Sequence, residues 1–241
     1  MTKRIPSGTK GADQILKGGL PEGKSFLISG TCGTGKTIFS AQFIYEGLKR
    51  GESCVYVTLE EEKSELKKDL ATVGIDFEKY EKNRKLRIIG GPFGTITVLK
   101  RRIRAKARDL VNEIVSVAKE VNAKRLVIDP LNLFLMLFDT DAERRTAFGE
   151  LSRKIKEIGC TAFYVCEVNE GIKGISWYGF EEYMVDGVIL FYRVPYKNTY
   201  ENGITIVKIR GASHEKGVYH VEITDKGLVV QPEQKLLYEL K

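Results

Sequence analysis

Gly30-Thr31-Cys32-Gly33-Thr34-Gly35-Lys36-Thr37 meets the pattern G-x-x-x-x-G-K-[S/T] at every fixed position. Such a loop works only between a strand and a helix, and both neighbours have the right texture. Lys24–Gly30 (KSFLISG) is a short apolar run ending in glycine. Lys36–Arg50 carries Phe39, Phe43, Ile44 and Leu48 on helical spacing. Glycines let the backbone N–H groups of Thr31, Cys32, Gly33, Thr34 and Gly35 curl round phosphate oxygens with no Cβ in the way. The Lys36 ammonium suits the β- and γ-phosphates of ATP, and the Thr37 hydroxyl suits its Mg2+ ion. The helix that follows turns its positive end on the same anion.

Around this loop, apolar runs alternate with amphipathic stretches. Cys54–Leu59, Leu86–Ile89, Arg125–Asp129 and Thr161–Cys166 read as strands. Glu61–Val73, Val98–Val121 and Asp141–Ile158, the last ended by Gly159, read as helices. From Gly187 the pattern changes. Gly187–Val194, Gly203–Arg210, Gly217–Ile223 and Gly227–Val230 are β-rich runs split by glycine turns. Strands alternating with helices predict an α/β fold, its mainly parallel sheet covered on both faces. The tail is expected to extend that sheet at one edge with antiparallel strands. No Pro/Ser-rich linker divides the chain, so 1–241 is expected to be one domain.

Binding ATP needs only the loop, whereas hydrolysis needs a metal-orienting acid and a group that positions water. Arg125-Leu126-Val127-Ile128-Asp129 ends an apolar strand on an aspartate, delivering a carboxylate to the sheet edge beside the loop. Its ordinary alternative is a strand-end cap for the next turn. Thr58-Leu59-Glu60-Glu61 delivers two more carboxylates to that edge. Glu60 or Glu61 can accept a hydrogen bond from water and draw off its proton. Helix-start acids that complement a dipole are the ordinary reading of such a pair, and of Glu62.

Composition adds exclusions more than identifications. No run of 18 apolar residues exists, so a membrane span is not expected. Met1–Pro6 has charge without a following apolar run, and a cytoplasmic location is expected. Cys32, Cys54, Cys160 and Cys166 form no CxxC pair and read as reduced thiols. Cys54 and Cys160 read as core fillers. The 39 basic and 32 acidic residues leave +7, which permits nucleic acid without requiring it.

Gly19-Leu20-Pro21-Glu22-Gly23 ahead of the loop, and Glu60-Glu61 after a strand, are similar to the KaiC family of the RecA superfamily. So are Tyr178-Gly179-Phe180-Glu181-Glu182-Tyr183 with Asp186, and Ile223-Thr224-Asp225-Lys226-Gly227. Lys208-Ile209-Arg210-Gly211-Ala212-Ser213-His214 resembles the family's K-x-R-G-x-S-H segment. The resemblance spans roughly residues 5–231. It implies a RecA-like ATPase core and homo-hexameric rings with ATP between subunits. Lys208 and Arg210 would then reach the neighbour's γ-phosphate as arginine fingers do. Ile209, Ser213 and His214 would help hold the nucleotide. The residues themselves say only that two cations two apart on a strand share a face. A basic edge strand that deters aggregation has the same pattern.

Departures narrow what the resemblance carries. Clock members of the family hold two such domains, and this chain holds one. Ala212 stands where they have threonine, Cys32 where a serine is usual, and Pro130 where a small hydroxyl residue is usual. Asp139-Thr140-Asp141 does not reproduce their neighbouring phosphorylation sites, so a clock role and self-phosphorylation are not implied. Lys100, Arg101, Arg102, Arg104, Lys106 and Arg108 place 101, 104 and 108 on one helical face. A solvated face accounts for them, and a DNA-handling RecA relative is the alternative, with no aromatic interleaved for base stacking. A scaffold that binds ATP without turnover is a third reading. Glu167 ends a strand where RecA-like proteins carry a polar γ-phosphate sensor, and an acid there reads as a switch acting on Asn169–Gly174.

Overall fold

The computed structural model describes residues 3–91, 100–168, 174–196 and 198–236. In chain order these form β1 (Arg4–Ile5), α1 (Ala12–Ile15), β2 (Leu20–Pro21), β3 (Ser25–Gly30) and α2 (Lys36–Lys49). There follow β4 (Cys54–Thr58), α3 (Lys63–Thr72), α4 (Glu78–Lys82), β5 (Leu86–Gly90), α5 (Lys100–Glu120) and β6 (Arg125–Asp129). Then come α6 (Leu131–Leu135), α7 (Asp141–Glu157), β7 (Thr161–Glu167) and α8 (Glu181–Met184). The chain closes with β8 (Gly187–Tyr196), β9 (Thr199–Ile209), β10 (Tyr219–Thr224) and β11 (Gly227–Lys235).

Among the described residues, nine strands make one sheet in the order β11-β10-β9-β8-β3-β7-β6-β4-β5. Every neighbouring pair from β8 to β5 is parallel, and β9, β10 and β11 add on antiparallel. This is the expected architecture. Each residue of β3, β4 and β6 is buried, as strands covered on both faces must be. Alternation divides them between two cores. Phe26 and Ile28 face one way with Phe39 and Phe43 of α2. Leu27 faces the other way with Ile114 and Ala118 of α5 and Phe148 and Leu151 of α7. Phe163 of β7 stacks on Phe43 at 4.0 Å and on Phe39 at 5.6 Å, fixing α2 and the loop before it against the sheet.

Arg125 opens β6 with its side chain fully buried. Its guanidinium donates to Glu52 Oε2 at 2.6 Å, Pro6 O at 2.8 Å and Phe43 O at 2.9 Å, and lies over the Phe43 ring at 4.8 Å. One residue thus ties the N-terminal segment and α2 to the central sheet. Arg125→Ala strands Glu52 and two carbonyls, and is expected to destabilise the fold by about 3–5 kcal/mol. Urea denaturation measures this.

The strands and long helices fall within a few residues of expectation, and the discrepancies are physical. α1, α6 and α8 are four or five residues long, too short to show a period. α4 buries none of its residues, so it carries no apolar signal. β8 and β9 run on to Tyr196 and Thr199, where the exposed Thr199 and Tyr200 are held by hairpin pairing. Thr140 and Glu143 form a reciprocal capping box that starts α7, which commits the Thr140 hydroxyl to structure. No described helix is long and apolar enough to cross a membrane. The four cysteines are free, Cys32 exposed and the other three buried. Residues 98–99 and 169–173 of the expected helix and switch segment lie outside the described residues. So do the side chains of Lys100, Arg101, Arg102, Arg104 and Lys106; Arg108 is exposed.

Candidate functional site

The loop leaves β3 at Gly30, where φ is +152° and a Cβ would fall 2.5 Å from the Phe191 carbonyl oxygen. It enters α2 at Gly35, with φ +91° and a Cβ position 2.6 Å from Leu228 Cδ1. Only glycine fits either hinge. Between them the buried Thr34 donates its hydroxyl to Thr31 O at 2.8 Å, and Lys36 Nζ donates to the same carbonyl at 2.7 Å. Cys32 and Gly33 are exposed at the tip. The nearest atom to a Cβ at Gly33 would be Arg193 Nη1, 4.0 Å away, so the backbone there is open to a ligand. Thr31 Oγ1 is buried without a hydrogen-bond partner, a polar atom available to an incoming oxygen.

The expected acids converge on this loop because parallel strands end at one edge. Gly30 is level with Glu167, and Thr58 with Asp129. Asp129 takes the Tyr56 hydroxyl at 2.7 Å and a hydrogen bond with the Thr37 side chain. Burial pushes its carboxyl up; Tyr56, Thr37 and Lys36 pull the other way. Lys36 is 6% exposed, and burial pushes its ammonium down against the pull of Glu167 and Asp129. Glu60 is pushed up by burial and then by Glu167 and Asp129. Glu61 is pushed up to about 7, first by burial and then by Asp129, Asp69, Glu60 and Glu65. The Thr58 hydroxyl donates to the Glu61 carbonyl at 3.1 Å, which fixes the turn carrying the pair.

The donor set suits Mg2+. Among the described residues, no three of His, Cys, Asp and Glu group into a protein cage for a metal. Thr37 and Asp129 offer a hydroxyl and one carboxylate, the kind of oxygen donors that would suit Mg2+ bound together with water and phosphates.

Lys208 and Arg210 stand elsewhere. Lys208 pairs with Val188, which is level with Leu27. Arg210 N donates to Asp186 O, and Asp186 N donates to Ser25 O. Arg210 is therefore level with the start of β3, five residues and roughly 17 Å from Gly30 along the strand. Lys208 Nζ donates to Val185 O at 3.1 Å and Arg210 Nη2 to Tyr183 O at 2.9 Å, so both cations lie on one side, as their spacing predicts. Burial, then Arg210, pushes the Lys208 ammonium down. The Ile209 side chain is buried in the core, leaving its backbone for any ligand contact. Ser213 O accepts from Arg4 Nη2 at 3.3 Å, and His214 Nδ1 lies 2.9 Å from Glu215 O.

Sequence reasoning missed Tyr56 and Asn132, and gave Asp186 only as part of a family-like segment. Tyr56 lies on the Asp129 face of the sheet, two residues before Thr58, a spacing that could have flagged it. Buried Asn132 accepts the Glu167 N–H at 3.2 Å. Asp186 accepts from Ser25 and from Lys24 and Lys156, anchoring the strand start that holds Arg210. No local pattern marks Asn132.

The family model "ATPase: KaiC" matches residues 5–235. A UPF0273 protein of Thermotoga maritima is 37% identical over 240 residues, covering 97% of this chain and 98% of its own length. The circadian clock protein KaiC3 of Synechocystis is 31% identical over 242 residues, 99% of this chain but 48% of that protein, about half its length. The crystal structure of a KaiC-like protein from Pyrococcus horikoshii superposes with a TM-score of 0.85 at 34% identity, covering 96% of this chain and all of that one. With a RecA-type sheet, a nucleotide-type loop at its carboxyl edge and this agreement over nearly its whole length, the chain belongs to the KaiC-type family of P-loop ATPases.

Proposed function

We propose that this protein hydrolyses ATP with Mg2+ at sites shared between neighbouring subunits of a homo-hexameric ring. One observation supports the shared site above all. The acids and Lys36 gather at one edge of the sheet, while Lys208 is level with Leu27 and Arg210 with Ser25, about 10 Å and 17 Å from Gly30 along the strand. Lys208 and Arg210 are engaged by the Val185 and Tyr183 carbonyls and not by the loop of their own chain, and head-to-tail packing would bring them to the next.

In this reading the amides of residues 31–35 and the Lys36 ammonium hold the phosphates. Thr37 and Asp129 would hold Mg2+, which supplies charge neutralisation at the β- and γ-oxygens. The Tyr56 hydroxyl keeps the Asp129 carboxylate turned to the site. Glu60 and Glu61 orient water, and Glu61 takes its proton. A carboxyl near 7 is matched to that work at neutral pH. Arg210 and Lys208 of the next subunit neutralise charge developing on the γ-phosphate. Ser213, His214 and the Ile209 backbone hold the nucleotide.

A base must be a carboxylate, so turnover should rise as pH climbs through about 7 and level off above it. Steady-state ATP hydrolysis measured across pH, with Mg2+ and with EDTA, tests this. Glu61→Gln should remove the rise along with most of the rate, by roughly 100-fold or more. Turnover insensitive to EDTA, or an unchanged pH profile in Glu61→Gln, would refute the mechanism.

A further inference from the structure

Glu167 ends β7 level with Gly30, and its Oε1 lies 3.9 Å from Lys36 Nζ. Its backbone is pinned, because its N–H donates to the side chain of buried Asn132, three residues beyond Asp129. The carboxylate is thus carried on a fixed strand end and not on a loose loop. Glu167 is the strongest attractive charge on Lys36, ahead of Asp129, and it also acts on Glu60. An anion therefore resides inside a site built for anions. A polyphosphate reaching for Lys36 shares that ammonium with Glu167 and meets like charge within a few ångström.

Resting on the proposed nucleotide site, we infer that Glu167 is a built-in competitor for Lys36 that weakens the hold on nucleotide phosphates. Its effect is on affinity, through Lys36, and it takes no part in bond making. A site with glycine hinges, loop amides, a helix N-terminus and a buried lysine grips phosphate strongly. A resident carboxylate lowers that grip for ATP and ADP alike and so favours product release.

The test is equilibrium titration of fluorescent ATP and ADP analogues into wild type, Glu167→Gln and Glu167→Asp. Glu167→Gln keeps the shape and removes the charge, and should bind both nucleotides roughly five- to thirtyfold more tightly. The gain should shrink at high salt. Glu167→Asp, which keeps the charge on a shorter arm, should gain less. A damaged site loosens binding, so tightening separates competition from mere structural disturbance. If Glu167→Gln folds poorly, Glu167→Ala is read the same way. Unchanged or weaker binding by the neutral variant, with wild-type binding intact, overturns this inference and leaves the proposed function standing. Equal gains for Gln and Asp also overturn it, since charge would not be the cause. A wild type that binds no nucleotide overturns both.

Discussion

Lys36→Ala should lower ATP affinity by roughly 100-fold or more, because two or more charge-assisted hydrogen bonds to phosphate are lost in a partly desolvated place. The same change should leave the protein at least as stable as before. Lys36 is 6% exposed, and burial disfavours its charged form more than the Thr31 carbonyl at 2.7 Å and the Glu167 carboxylate at 3.9 Å favour it. A buried ammonium held this way opposes folding and serves a ligand instead. Thermal unfolding and nucleotide titration on the same sample separate the two effects. Loss of affinity with an unchanged or raised melting temperature is the expected pair. A variant that still binds ATP normally would mean that the loop amides alone carry the phosphates. One that unfolds would mean that Lys36 is structural.

What the sequence disclosed and what it hid divide along a physical line. Local patterns were legible. The strand–loop–helix around Lys36, the strands ending at Asp129 and Thr58, and the antiparallel tail all follow from apolar period and glycine placement. The convergence of Lys36, Thr37, Asp129, Glu60 and Glu61 was legible too, since parallel strands deliver their ends to one edge. Contacts between distant segments were not. Asn132 reaches Glu167 across 35 positions, Tyr56 reaches Asp129 across 73, and Arg125 joins Pro6 across 119. Each is a single side chain set by the register of neighbouring strands, and register has no signature in one strand alone. Arg125 illustrates the consequence: at the start of an apolar strand it passes for a solvated flank, yet it is among the largest fully buried side chains of the described residues.

Arg210→Ala should cut turnover by about 1,000-fold, as loss of an arginine finger does, while ATP affinity changes little. Among the described residues its side chain donates to the Tyr183 carbonyl on the exposed surface, so removing it should not disturb the core. Rate alone does not tell a finger given to the next subunit from one folded back on its own chain; mixing does. The Lys36→Ala protein has a dead loop and an intact Arg210, and the Arg210→Ala protein has the reverse. If rings exchange subunits at random, about a quarter of the interfaces join an intact loop to an intact finger. Hydrolysis should therefore reappear in a mixture of two proteins that are each inactive. The proposed shared site predicts this outcome, since Arg210 lies level with Ser25 and not with Gly30. A mixture that stays dead, although chromatography shows mixed rings, would place the catalytic cation within one subunit, where Arg193 beside Gly33 becomes the residue to replace.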